Sequence, residues 1–301
     1  MKSPNPVRSQ EGIALILVLW MLVLLTLIAG GLVQTSRTET VQTRNQIALA
    51  RLQAIADGVV HRGIYEFLKP GVDLEAAWKP DGLPRELELD GVPVELTVTE
   101  ETAFIDLNRA PDALLRGLLL SVGVATDEAD RLVDAIADWR DPDELVRTNG
   151  AERDQYEAAG MIYAPSNEPF QSVEEVLRVL GMSRAIYQQI EAALTVHSGQ
   201  PGINSLVAPR QVLLALPNAT PEDVETYIEQ RHALLAENQA VSPFPPATGY
   251  SSGGSGQVGV YNFKAIARLP DNMFFVRNAV VRLTRQPRQP FVLLDWKEGS
   301  L

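Results

Sequence analysis

The run from Ile13 to Val33, IALILVLWMLVLLTLIAGGLV, carries no charge over 21 residues, and no other feature restricts this chain so much. Coiled as a helix at about 1.5 Å per residue, it covers the roughly 30 Å hydrocarbon core of a bilayer. The competing reading is a cleaved secretory signal, whose apolar part is usually about 7–15 residues and ends in an A-x-A-like site. This run is longer, and nothing after it has that form. Lys2 and Arg8 precede it with only Glu11 against them, so the positive-inside tendency predicts a cytoplasmic N-terminus and a body outside the cytoplasm.

Past the span no proline occurs until Pro70, and apolar residues recur at Val41, Ala48, Leu52, Ile55, Val59 and Phe67. That spacing predicts one helix over 13–69, on the order of 85 Å long, with an apolar stripe on its second half and Pro70-Gly71 as its stop. Residues 91–100 then alternate apolar and polar side chains as a half-buried strand does, and 104–107 continue extended. Three more strand-like runs lie near 257–269, 273–284 and 291–296. The expected fold is α+β, with an antiparallel sheet packed on the second half of the long helix.

Between 108 and 240 the period changes to three and four, which predicts an inserted all-α domain. The stretch 241–257, dense in Pro, Gly and Ser, reads as a mobile linker back to the sheet strands of 258–301, and residues 34–107 supply the first part of that core. The insert carries a weak repeat. Asn108-Arg-Ala-Pro111 leads to Leu114, Leu115 and Leu118, a turn at Gly123, then Ala129, Leu132 and Ile136. Asn204 to Pro209 leads to Val212, Leu213 and Leu216, a turn at Asn218, then Val224 and Ile228. A middle copy runs from Phe170 through Gly181 to Tyr187 and Ile190.

These units resemble helix-hairpin-helix motifs, which in many proteins bind DNA phosphates through backbone amides. Here Asp127, Glu128, Asp130, Glu222 and Asp223 follow the hairpins, and the whole chain has a formal charge of −12. Phosphate would meet like charge, so protein docking or scaffolding is expected and nucleic acid is not. There is no cysteine, which excludes disulfides and thiolate metal sites. The three histidines stand apart, and no nucleophile lies beside a base, so no enzyme is expected. The Ser/Gly stretch 251–256 lacks the Lys-Ser/Thr ending of a phosphate loop.

The densest polar cluster is Asp138, Asp141, Asp143 and Glu144, followed by Glu152, Asp154 and Asn167. Hard oxygen donors at alternating positions suit calcium, which takes about six to eight oxygens, but the spacing is not that of an EF-hand. On composition alone a solvated acidic loop is the commoner outcome, and both readings stay open.

A short basic leader ending in Gln10-Glu11-Gly12, followed by Ile13-Ala14-Leu15-Ile16-Leu17, resembles the class III signal of type IV pilins and pseudopilins. The resemblance implies cleavage by a prepilin peptidase between Gly12 and Ile13, which removes residues 1–12 and leaves the span in the inner membrane. Most pilins carry glutamate at the fifth mature position, where this chain has Leu17. Together with the large body and the IDLNRAP, GIN…APR and DW-x-D-x-D…GAE…N patterns, that absence resembles the K-type minor pseudopilins of type II secretion. The family then implies a structural subunit at the pseudopilus tip that primes assembly for protein export. Its expected partners are I- and J-type minor pseudopilins, the major pseudopilin and the inner-membrane platform, contacted through Leu17, Val41, Ala48, Leu52, Ile55 and Val59. The resemblance also implies calcium, held by Asp141, Asp143, Glu144, Glu152 and Asn167, with Asp138 and Asp154 as further candidates. A membrane-tethered DNA receptor and a minor pilin of a type IV pilus are the rival readings.

Overall fold

A computed structural model describes residues 11–69, 77–237, 239–252 and 259–299; for 11–14, 29–38, 40 and 285 it describes the backbone alone. The leader up to residue 10 and the Pro70-Gly71 stop lie outside the described residues. The chain divides after Ala54 into two compact units.

The first unit is carried by helix α1, Glu11–Leu68. Each apolar side chain from Leu15 to Leu25, together with Leu27 and Ile28, is exposed, and Thr26 turns its hydroxyl back to donate to the Leu22 carbonyl at 2.7 Å. Among the described residues no helix is both long and apolar enough to cross a membrane. The described side chains of the apolar run cover 15–28 only, which is about 21 Å of helix.

In the second unit the C-terminal turns of α1 lie on a five-stranded antiparallel sheet. Its strands are β1 Asp81–Leu89, β2 Val92–Glu100, β5 Val260–Arg268, β6 Phe274–Gln286 and β7 Gln289–Glu298, in the order β1-β2-β5-β6-β7. Alternation explains the buried face: Val92, Val94, Leu96 and Val98 are buried while Pro93, Glu95 and Thr97 are not. Against that face α1 buries Ile55, Val59, Val60 and Ile64, and Phe67 sets its ring against Tyr261 and Phe263. A Cβ on Gly63 would stand 3.0 Å from Leu96 Cδ2, so glycine permits the close approach. One ion pair joins helix to sheet, with Arg277 Nε donating to Asp57 Oδ1 at 2.6 Å and the guanidinium over the Phe275 and Trp296 rings.

The burial of Leu52, Ile55 and Val59 corrects the packing stripe. Ile55 and Val59 are spent on the second unit's own core and Leu52 is buried as well, whereas Leu17 and Val41 are exposed and Ala48 is half-buried.

Strand β1 was not foreseen; it pairs with β2 through a two-residue turn in which Asp90 and Gly91 both have positive φ, +53° and +72°. Such a turn matches the twist of a hairpin and favours Asp-Gly. The chain leaves the sheet at Glu100, which pairs with Tyr261, and re-enters at Val260. Everything between is an excursion from two adjacent strands. It holds α2 Asp112–Ser121, α3 Thr126–Arg140, α4 Arg153–Ala158, α5 Arg184–Ile190, α6 Arg210–Leu214 and α7 Pro221–Ala236, with a short parallel pair, β3 Ile105–Asp106 and β4 Leu194–Thr195.

Three helix–turn–helix units share one backbone device. Gly123, Gly181 and Asn218 have φ of +86°, +89° and +64°, each two residues before the N-cap of the following helix. At the first of them Gly123 N–H donates to the Leu120 carbonyl and Val124 N–H to that of Leu119, the reciprocal pattern that ends a helix on a left-handed glycine. Counting from these turn residues, Leu118, Val176 and Leu213 are buried before them, and Ala129, Tyr187 and Val224, then Leu132, Ile190 and Tyr227, after them. The apolar repeat thus fills one core.

The described part of the 241–257 stretch is not the mobile linker expected. Phe244 is buried against Tyr227, its N–H donates to Ser205 Oγ at 3.1 Å, and Tyr250 and Ser252 bond both backbone groups of Ile203. Its Pro, Gly and Ser content hid the apolar anchors Phe244 and Ala247, with Val241 and Tyr250 packed beside them. Residues 253–258 lie outside the described residues.

Candidate metal centre

Helix α3 ends where its last turn meets a wall of rings. Trp139 stacks on Phe170 at 6.2 Å and tilts against Tyr156 at 6.1 Å, while its indole N–H donates to Glu175 Oε1. Tyr156 is buried, and its hydroxyl accepts the Leu180 N–H at 2.9 Å. The wall fixes Asp138 and Asp141 at the helix end and holds two following loops, residues 141–152 and 159–168, beside them.

Asp138 is fully buried, and its two oxygens are used differently. Oδ2 accepts the Arg147 N–H at 3.2 Å, which draws the first loop down, while Oδ1 has no partner. Gly150 makes this approach possible, because a Cβ there would lie 1.9 Å from Asp138 Oδ2. Glu152 caps α4; its N–H donates to Gln155 Oε1 at 2.9 Å, but both carboxylate oxygens are buried without a partner. Asn167 adopts φ +52° and donates its N–H to the Trp139 carbonyl at 3.0 Å. Its Nδ2 donates to Glu144 Oε1 at 3.1 Å, and its Oδ1 is again unpartnered. Asp141 contributes one more buried, unpartnered oxygen.

Of nine buried side-chain polar atoms without a partner among the described residues, five belong to this cluster, and all five are oxygens. Such atoms are rare in folded proteins because each costs a desolvation penalty of about 1–3 kcal/mol or more. The carboxyls register that cost. Burial, then the charges of Asp138, Glu144, Asp141 and Asp143, pushes Glu152 up to about 7. Burial likewise raises Asp138 and Asp141, the latter further opposed by Asp143. What the site wants is positive charge with several oxygen-accepting directions. Among the described residues no three carboxylate or histidine side chains are already drawn into a ligating group. The donor set is nevertheless wholly hard oxygen, the type a calcium ion takes.

The sequence-predicted residues divide accordingly. Asp138, Asp141, Asp143, Glu144, Glu152 and Asn167 come together. Asp154 stands exposed on the first turn of α4, unlike the buried Asp138 and Glu152. Gly150 was missed, although an Asn-Gly pair between two acidic runs is a signal for a tight approach.

The fold matches a chain in the crystal structure of the GspK–GspI–GspJ complex from the enterotoxigenic Escherichia coli type 2 secretion system. The TM-score is 0.53 at 18% identity, covering 88% of this chain and 99% of that one. The likeness is one of fold, an α+β body with a helical excursion between two strands. Residues 98–199 match the model of type II secretion system (T2SS), protein K, and include the whole acidic cluster. Type II secretion system protein K of Klebsiella pneumoniae is 28% identical over 81% of this chain and 77% of its own length. That of Pseudomonas aeruginosa is 26% identical over 74% and 73%. The chain is thus similar to the type II secretion system protein K family over residues 98–199, and to proteins of that name over most of its length.

Proposed function

We propose that this chain is a tip subunit of the pseudopilus, joining I- and J-type minor pseudopilins and priming growth of the filament. The excursion between β2 and β5 supports a terminal position, because so large a body would obstruct a subunit stacked above it. The uncharged run 13–33 is proposed as a single inner-membrane span with the body periplasmic, processed by prepilin peptidase between Gly12 and Ile13. Leu17, Val41 and Ala48 remain as helix residues a partner could reach. Leu17 leaves the chain without the buried glutamate that would need a positive partner, as suits a subunit with nothing above it. Peptide sequencing of the purified mature protein should begin at Ile13; retention of Met1 would remove this reading.

The same chain holds calcium at the end of α3, through Asp138, Asp141, Glu152 and Asn167, with Asp143 and Glu144 on the loop beside them. The five orphan oxygens carry this conclusion. When bound, the ion supplies charge neutralisation and ties the two loops to α3, a structural role rather than a catalytic one. Elemental analysis of protein purified without chelator should find calcium retained after desalting, lost in Glu152→Gln. Metal-free wild-type protein would contradict it.

A further inference from the structure

Outside α1, eight large apolar side chains are exposed among the described residues, and five of them fall in two loops: Leu145 and Val146, and Met161, Ile162 and Tyr163. Ile162 is as open as in a free peptide at 102%, and Leu145 is 77% exposed. The loops are tethered side by side, since Asn167 of the second donates to Glu144 of the first and Arg153 lies 3.7 Å from the same carboxylate. Exposed apolar groups gathered in one place mark an interaction site, whereas single ones scattered over a surface do not. Tyr163 sets its ring against Trp139 and Tyr156 and so anchors the second loop to the wall, whereas Leu145 and Ile162 are the two most exposed of the five.

The charge around the loops selects the occupant. Glu157 precedes the second loop and Glu168 ends it, both exposed, with Asp154 also exposed, and none of the three is among the residues proposed to hold calcium. The neighbouring guanidiniums are engaged, Arg147 with Asp112 and Asp134 and Arg153 with Glu144. We infer that the paired loops 143–146 and 161–163 are a docking surface for a partner protein that presents apolar side chains within a basic rim. The acidic rim repels anionic lipid headgroups, which favours protein over membrane. This inference needs the loops and their charges, and it stands whether or not a cation occupies the neighbouring site.

The test uses the full chain in neutral-lipid nanodiscs and fluorescence anisotropy of three labelled amphipathic peptides, built from Lys/Leu, Glu/Leu and Lys/Ser. The Lys/Leu peptide should bind most tightly. The double variant Leu145→Ser, Ile162→Ser should weaken it about tenfold with an unchanged thermal midpoint, as expected for exposed positions. Glu157→Lys with Glu168→Lys should weaken Lys/Leu binding and strengthen Glu/Leu binding. Equal binding of Lys/Ser would reduce the surface to bare charge and overturn the inference, as would indifference to the apolar double variant. Capture of anionic phosphatidylglycerol vesicles that is lost in the double variant, without peptide binding, would assign the loops to a membrane instead.

Discussion

The sheet and the two loops behind α3 handle polar groups in opposite ways. Across β5 and β6 nine consecutive residue pairs are in register, and the one buried guanidinium, Arg277, has a carboxylate and two rings around it. Between 138 and 168, by contrast, five buried oxygens lack partners and five large apolar side chains face outward. Among the described residues, folding leaves one buried side-chain oxygen of β5 and β6 without a partner, Asn278 Oδ1. The second region leaves five close together at the end of α3, which is why the proposed cation is placed there.

The contrast is easiest to sharpen from the closed side. Gly117 of α2 lies so close to α6 that a Cβ would stand 1.9 Å from the Ala215 carbonyl oxygen. Gly117→Ala should therefore cost about 3 kcal/mol or more, read by urea unfolding, since backbone cannot rotate away as a side chain does.

Glu101 is the exception within the closed region and should respond to pH. It is buried at the start of the excursion, accepting from the Thr195 hydroxyl at 2.6 Å, and burial pushes its carboxyl up to about 7. An unfolded glutamate ionises near 4.5, so between about 4.5 and 7 the unfolded state binds fewer protons and this group's contribution to stability falls as pH rises. Glu101→Gln should remove that fall, making the variant more stable than wild type at pH 8 by up to roughly 3 kcal/mol, and not at pH 4. A cost at pH 8 would mean that the ionised carboxylate has a cationic partner.

Smaller effects follow for the helix–sheet pair and for the loop. Asp57→Ala should cost about 2 kcal/mol, less than a fully buried pair because Asp57 is partly exposed. Gly150→Ala should cost only about 1 kcal/mol without calcium, yet cut the stabilisation that calcium gives, because the intruding methyl displaces Asp138. Calorimetry with and without the ion separates those two effects.

Much of this was legible from residues alone. The antiparallel strands were readable from Val- and Phe-rich runs, and the helical insert from apolar steps of three and four. Strand β1 was not, because Arg85, Glu86 and Glu88 on an exposed edge masked the Leu87 and Leu89 alternation beside the Asp-Gly turn. Phe244 was hidden by prolines. At the candidate metal centre composition left a solvated loop open, and the resemblance implied Asp141, Asp143, Glu144, Glu152 and Asn167 with Asp138 and Asp154 as further candidates; burial separates Asp138 from Asp154, and burial here depends on rings contributed from Trp139 to Phe170.

Differential scanning calorimetry of the intact protein in millimolar calcium and in excess chelator bears on the central claim most directly. An ion that binds only the native state stabilises by about 2.7 kcal/mol at a hundredfold excess over its Kd, which predicts a midpoint higher by about 5 °C or more in calcium. That shift should vanish in Glu152→Gln. Superimposable wild-type transitions in calcium and chelator would contradict the claim that those orphan oxygens await a cation.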